Sequence, residues 1–422
     1  MSTPRRLVHP LGLVTLLGVA CLVTSSAGAL SVAAPLLQSG SGSGGTPGST
    51  VPVAGPPRPA DPQAADPEPG GLTAAAAGAP IELCSNLSVI SSWSLSRRAA
   101  QLVAVPAAEA DVALVAPAVA AGAGGLVLYG SSAPTNLGSQ LAALEAMDQG
   151  GLAPLVMTDE EGGGIQRMSN LVGSLPWPAT MSATMTPAAV EQAAEQMAEA
   201  MVANGVTVDL APVLDLASGP GPDATHIDGP RSFGTSPTAA TAFGLAFAEG
   251  LEAGGVIPVV KHFPGEGGAD GNTDDGPAST PPLATLESAD LLPFEAAISA
   301  GLPAVMVGDA SVPGLSPGPA SLAPAVITGL LRKQLGFEGL VMTDSLSADA
   351  IGDLGISVPE ASVQAVAAGA DMVLSNTADP DTTFDQTVAA LVTAVADGAV
   401  PLMTLDTAVM QVLSAKGVDL CA

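Results

Sequence analysis

The chain has 422 residues and sets 11 Lys and Arg against 40 Asp and Glu, a net charge of −29. A field of that sign repels nucleic acid, anionic lipid and phosphate-rich polymers, which excludes them as partners and favours a neutral or cationic ligand. Aromatic residues make up 2% of the chain, and Trp93, Trp177 and Tyr129 are its whole supply of Trp and Tyr, too few stacking platforms for a long polysaccharide.

Residues 1–29 read as a secretory signal: Arg5 and Arg6 precede an apolar run from Leu11 to Val23, followed by small residues up to Ala29. Cleavage after Ala27-Gly28-Ala29 releases a soluble protein, whereas processing before Cys21 leaves a lipid-anchored one, with Gly18 standing where such signals usually carry Leu. Either route predicts export to the cell envelope or beyond, with membrane contact only through that anchor. Residues 30–80 are rich in Gly, Ser, Pro and Ala, have no apolar period, and are expected to form a disordered tether. Residues 81–422 are expected to form one folded domain and a monomer. Cys84 and Cys421 stand near its two ends, so a disulfide joining them is expected in an oxidising compartment; the alternative is two buried thiols.

Within that region short β-branched runs alternate with longer Ala- and Leu-rich segments of helical period. The predicted strands are 101–105, 125–129, 154–158, 207–210, 257–261, 304–307, 340–343 and 371–375. Helical patterns between them include 188–204, 239–253, 286–299 and 324–334. Eight strand-then-helix units predict an α/β fold, a closed (β/α)₈ barrel; an open doubly wound sheet usually has fewer units and a Gly-x-Gly-x-x-Gly turn opening its first helix, and no such turn opens the first helix here.

Active sites of such barrels gather at the C-terminal ends of the strands. There this sequence places Asp159-Glu160-Glu161-Gly162-Gly163 through Arg167, then Asp215, then Lys261-His262 and Glu266, then Asp309, Asp344-Ser345 and Ser375-Asn376. A rim of carboxylates with one Lys, one His and an Arg suits cleavage of an acetal through an oxocarbenium-like transition state. The histidines are His9, His226 and His262, without zinc spacing, so neither a metal nor another cofactor is expected. Lys261 read alone also allows a Schiff-base aldolase, but that chemistry needs a depressed amine pKa, and neighbouring carboxylates act in the opposite direction.

Four motifs, Lys261-His262-Phe263-Pro264-Gly265, Asp159-Glu160-Glu161-Gly162-Gly163, Gly229-Pro230-Arg231-Ser232-Phe233-Gly234 and Gly339 to Leu346 around Thr343-Asp344-Ser345, resemble glycoside hydrolase family three, closest to its bacterial β-N-acetylglucosaminidase branch. The resemblance runs from about Cys84 to Leu420. It implies a barrel, a small carbohydrate substrate such as an amino-sugar glycoside or cell-wall fragment, and a retaining mechanism with Asp344 as nucleophile. It also implies that Asp159, Arg167, Arg231, Lys261 and His262 bind the sugar. Glu160 and Glu161 are expected to anchor their loop, and Asp215 either ties down its loop or joins the site.

The sequence departs from that branch where the proton donor belongs. The family's acid/base histidine is matched by Asp274, its orienting aspartate by Asn272, and an earlier histidine by Glu266; Gly164 replaces an arginine and Asp309 a histidine. Asp274 is the candidate acid/base, with Glu266 and Asp275 as the alternatives, since a carboxyl in a covered pocket can stay protonated near neutrality. The other reading is an impaired descendant that binds cell-wall sugars or a partner without turnover.

Overall fold

A computed structural model describes residues 87–147, 152–219 and 228–420. The expected signal and tether, Cys21, Cys84, Cys421 and His226 lie outside the described residues. No helix among the described residues is long and apolar enough to cross a membrane.

Eight parallel strands form a closed barrel: β1 Val103–Ala108, β2 Gly125–Tyr129, β3 Leu155–Thr158, β4 Val208–Asp209, β5 Ile257–Phe263, β6 Ala304–Val307, β7 Leu340–Ser345 and β8 Met372–Leu374. Each pairs with its neighbours in chain order, and β8 closes onto β1 through Val103 opposite Val373. The (β/α)₈ expectation therefore holds, strand for strand. The short β4 continues as a looser pairing: Ala211 accepts from the Val259 N–H at 3.0 Å, and Leu214 donates to the Lys261 carbonyl at 2.7 Å.

Alternation along the strands builds two cores. Ala104, Val259, Met306 and Met342 point into the barrel, where Met157 and Met372 also lie, while Val105, Val260, Val305 and Val341 point outward to the helices. Thioether side chains fill the tapering interior because they bend to irregular gaps. Helix starts carry local signals: Thr186, Ser236 and Asp379 accept from backbone N–H groups of the helices Pro187–Ala203, Pro237–Ala253 and Pro380–Ala396, each opened by a proline.

Three boundaries differ from the sequence reading. β1 begins at Val103 because Gln101 caps the preceding helix Leu95–Ala100 and donates from Nε2 to the Gly122 carbonyl at 2.8 Å. The 286–299 pattern splits into Leu283–Leu286 and Leu291–Ala300, and between them Asp290 presses against Gly265. The 324–334 pattern forms Ala325–Gln334 with wide π-type turns.

The Ala325–Gln334 segment carries a clamp at the base of the barrel. Arg332 donates from Nη1 to the Gly339 carbonyl at 2.6 Å and from Nη2 to Asp371 Oδ2 at 2.5 Å, and that same oxygen accepts from the Val341 N–H at 2.8 Å. One ion pair thus ties the starts of β7 and β8. Arg332→Met leaves Asp371 buried without its counter-charge, and is expected to cost about 3 kcal/mol in urea unfolding followed by circular dichroism. A loss below about 1 kcal/mol contradicts this role.

Candidate active site

A cavity of about 480 Å³ opens at the C-terminal ends of the strands. That lies in the roughly 300–1,000 Å³ range of small-molecule sites, enough for a short glycoside but not for a polymer lying wholly inside. Of the residues expected to act, Asp159, Arg167, Arg231, Lys261, His262, Glu266, Asp274 and Asp344 all line it. Tyr129, at the end of β2, lines it as well.

The β3 side is a network of paired charges. Lys261 Nζ, nearly fully buried, sits 2.8 Å from Asp159 Oδ1 and 2.7 Å from Glu161 Oε1. Arg231 grips Glu161 with two parallel bonds of 2.8 Å, from Nε to Oε2 and from Nη2 to Oε1. Its pairing with Asp228 is looser, at 3.5 Å. Burial alone would neutralise these groups, but the pairing prevails: Arg231 and Lys261 hold Glu161 well below the usual carboxylate range, and Asp159 and Glu161 raise Lys261 further. A lysine held this firmly as an ammonium is a poor Schiff-base nucleophile. Glu161 therefore does more than anchor its loop, whereas Glu160 does that: its Oε1 accepts from the Met168 N–H at 2.6 Å and its Oε2 from Gln166 at 3.0 Å.

The turn that presents Asp159 and Glu161 depends on glycine. Gly163 has φ +60°, and a Cβ there would lie 2.0 Å from the Trp177 ring, which also covers Gly164. Trp177 thus occupies the space beside the position where the family usually carries an arginine.

Asp215 answers the choice left open by its sequence with both roles. One oxygen accepts from the His262 backbone N–H at 2.9 Å and lies 2.6 Å from His262 Nδ1; the other accepts from the Glu266 N–H at 2.6 Å. Burial opposes the imidazolium, but Asp215 and, more weakly, Asp344 outweigh it and push His262 up to about 9. The Lys261–His262 peptide is cis. Among the described residues, Asp215, Asp228 and His262 bring ligand-type atoms within 4.8 Å of one another, yet Asp215 is already committed to His262 and Glu266.

Asp344 ends β7. Its Oδ1 accepts from the Ser345 N–H at 2.7 Å, and its Oδ2 lies 4.0 Å from His262 Nε2. Around it stand three further carboxyls. Glu266 is buried, lies against Gly308, accepts from the Ala310 N–H at 2.7 Å, and is pushed up to about 8 by burial. Asp274 is raised by burial and then by Asp344. Asp309 is raised by burial and by Asp344, and accepts a short bond from Ser321 Oγ. Tyr129 is raised by burial and by Asp159 and Asp344, so its phenol stays neutral. Sequence reading treated Tyr129 only as a stacking ring; its place directly at a strand end was the available signal.

The glycosyl hydrolase family 3 N-terminal domain model matches residues 95–415. The chain is 36% identical over 285 residues to the β-hexosaminidase LpqI of Mycobacterium tuberculosis, covering 65% of this chain and 71% of that one. Among solved structures, M. tuberculosis LpqI superposes with a TM-score of 0.72 at 33% identity, covering 79% of this chain and 97% of that one. The β-N-acetylhexosaminidase of Beutenbergia cavernae gives 0.70 at 31% identity, covering 77% and 99%.

The folded-state value of about 9 for His262 lies above the ordinary 6.5. Its charge therefore contributes stability that is fully present below about pH 6.5 and is lost as pH rises through about 9. The difference in unfolding free energy between wild type and His262→Gln is expected to shrink by about 3 kcal/mol across that window. A difference that stays flat with pH contradicts the buried His262–Asp215 pair.

Proposed function

We propose, for a chain that belongs to glycosyl hydrolase family 3, that it cleaves terminal β-linked N-acetylglucosamine-like residues with retention of configuration, using Asp344 as nucleophile. The observation that carries this reading is the position of Asp344 at the end of β7, on the cavity and 4.0 Å from His262, opposite a preformed Lys261–Glu161–Arg231 network. Relatives at 31–36% identity that bear the names β-hexosaminidase and β-N-acetylhexosaminidase support the sugar class.

In this reading Asp159, Lys261, Arg231 and His262 hold the hydroxyls of the terminal sugar, with Arg167 at the rim, so that its anomeric carbon meets Asp344. The carboxylate of Asp344 bonds to that carbon as the glycosidic C–O bond breaks, and Asp274 gives its proton to the departing oxygen. Water then attacks the glycosyl-enzyme; Asp274, now a carboxylate, takes its proton, and Asp344 is released. The coupling of Asp274 to Asp344 serves both steps. While Asp344 is charged it helps keep Asp274 protonated, and once Asp344 is esterified that influence disappears and Asp274 becomes the base. Glu266 is the alternative donor, with its proton retained up to about pH 8. The reading extends to an exported protein, either released or anchored at Cys21, which the mass of the mature N-terminal peptide decides.

Turnover of nitrophenyl β-N-acetylglucosaminide is expected to vanish in Asp344→Ala. In Asp274→Ala, kcat/KM should fall by about 10²–10⁴ on a glycoside with a poor leaving group such as a disaccharide, and by less on the nitrophenyl glycoside, whose leaving group needs little protonation. Azide should rescue Asp274→Ala and give the β-glycosyl azide, because azide replaces water on a covalent intermediate without needing a base. Rescue at Glu266→Ala instead moves the acid/base role to Glu266. Sugar binding without turnover above the Asp344→Ala background contradicts hydrolysis and favours a binding protein.

A further inference from the structure

Glu109 is the first residue after β1, a strand that lends no residue to the cavity wall. The register that sets Ala108 opposite Tyr129 brings Glu109 level with Gly130. Its side chain lies across that glycine: a Cβ at position 130 would stand 2.0 Å from Glu109 Oε1 and 2.6 Å from its Cγ. Glu109 is 2% exposed, and neither carboxyl oxygen has a hydrogen-bond partner among the described residues. A carboxylate sealed in this way needs a cation close by, and Arg167 is that cation. Burial raises Glu109, and the Arg167 charge, ahead of the nearby Ser132 N–H, draws it back. The two segments are also tied by hydrogen bonds: Asn170, three residues after Arg167, accepts from the Ala133 N–H at 3.1 Å and donates to the Ala133 carbonyl at 2.8 Å.

Arg167 is held loosely on the cavity side. Its Nη2 stands 3.5 Å from Asp159 Oδ2, against 2.8 Å for Lys261 Nζ on Oδ1 of the same carboxylate. Its Nε is buried and has no hydrogen-bond partner among the described residues. The guanidinium is thus drawn by two acids, Asp159 on the cavity and Glu109 off it, and has closed on neither.

We infer that Glu109 is a positioning residue for sugar binding: it keeps Arg167 from closing on Asp159, so that the guanidinium and Asp159 Oδ2 both remain free to take one hydroxyl of the terminal sugar between them. A hydroxyl donates to a carboxylate and accepts from a guanidinium at the same time, and an ion pair that had already closed would first have to be broken. Gly130 belongs to the same device, because only a residue without a side chain leaves room for the carboxyl beside it. This inference rests on the sugar-binding roles proposed above for Asp159 and Arg167.

The test measures hydrolysis of nitrophenyl β-N-acetylglucosaminide and, by calorimetry, binding of N-acetylglucosamine, which needs no turnover. Glu109→Gln keeps the shape of the side chain and removes its charge. It is expected to raise KM and weaken binding about tenfold while kcat stays within about twofold. Glu109→Asp should recover part of that loss. The double variant Glu109→Gln/Arg167→Met should be no worse than Arg167→Met, because Glu109 acts through Arg167 alone. Gly130→Ala displaces the same carboxyl without altering the charge and should raise KM alike, which keeps the test decisive where Glu109→Gln does not fold. Unchanged KM and affinity in Glu109→Gln or Gly130→Ala, a loss confined to kcat, or a loss that adds in full to that of Arg167→Met overturns this inference and leaves the hydrolytic reading standing. Affinities ordered as expected in a chain that hydrolyses nothing overturn the hydrolytic reading and leave Glu109 in its role. A wild-type chain that neither binds N-acetylglucosamine nor cleaves its glycoside overturns both.

Discussion

The site depends on one buried ammonium. Lys261 leaves the end of β5 and reaches Asp159 and Glu161, which belong to the turn after β3, about a hundred residues earlier in the chain. A charge so deeply covered survives only with partners at close range, and removing any one of them leaves the others uncompensated. Arg231 adds a second cation on Glu161 from a third loop, so three separate segments are locked by one set of ion pairs. This side of the cavity is therefore tied together by ion pairs before any ligand arrives, which is what the proposed positioning of a sugar ring over Asp344 requires.

Asp215 provides the second lock. By accepting from the backbone and ring of His262 and from the backbone of Glu266, it sets the course of the loop after β5 and the orientation of the imidazole near Asp344. Beyond that loop the polarity changes. Asp344, Asp309, Glu266 and Asp274 gather with no arginine or lysine among them, and burial and mutual repulsion keep part of the group protonated. One barrel mouth thus holds a side of paired cations and carboxylates and an acid-rich side, the division on which the proposed sugar binding and proton transfer rest.

Much of this was legible in the sequence. The eight β-branched runs identified all eight strands because parallel strands buried on both faces read as short apolar blocks, and the polar residues directly after them named the rim. Boundaries were less legible where tertiary contacts decide them: Gln101 looks apolar-flanked enough to start a strand, but its side chain is spent on Gly122. The pairing within the site was the least legible part. Arg231 sits three residues from Asp228 in sequence, which suggests a local bridge, yet its tight partner is Glu161, seventy positions away. Sequence proximity carries no information about which carboxylate a closed barrel brings across its mouth. The pattern also ranked Glu161 as a loop anchor, because a buried acid and a surface acid look alike until the neighbouring cations are placed.

The most direct test of the central claim is to trap the intermediate. A β-N-acetylglucosaminyl fluoride slowed by fluorine at carbon 5 is incubated with the protein, which is then digested and its peptides sequenced by mass spectrometry. The account predicts one glycosyl group per chain, carried by Asp344 in the peptide that contains Thr343-Asp344-Ser345, and no label in Asp344→Ala. Consumption of the fluoride with no covalent label, or a label on another carboxylate, contradicts Asp344 as the nucleophile.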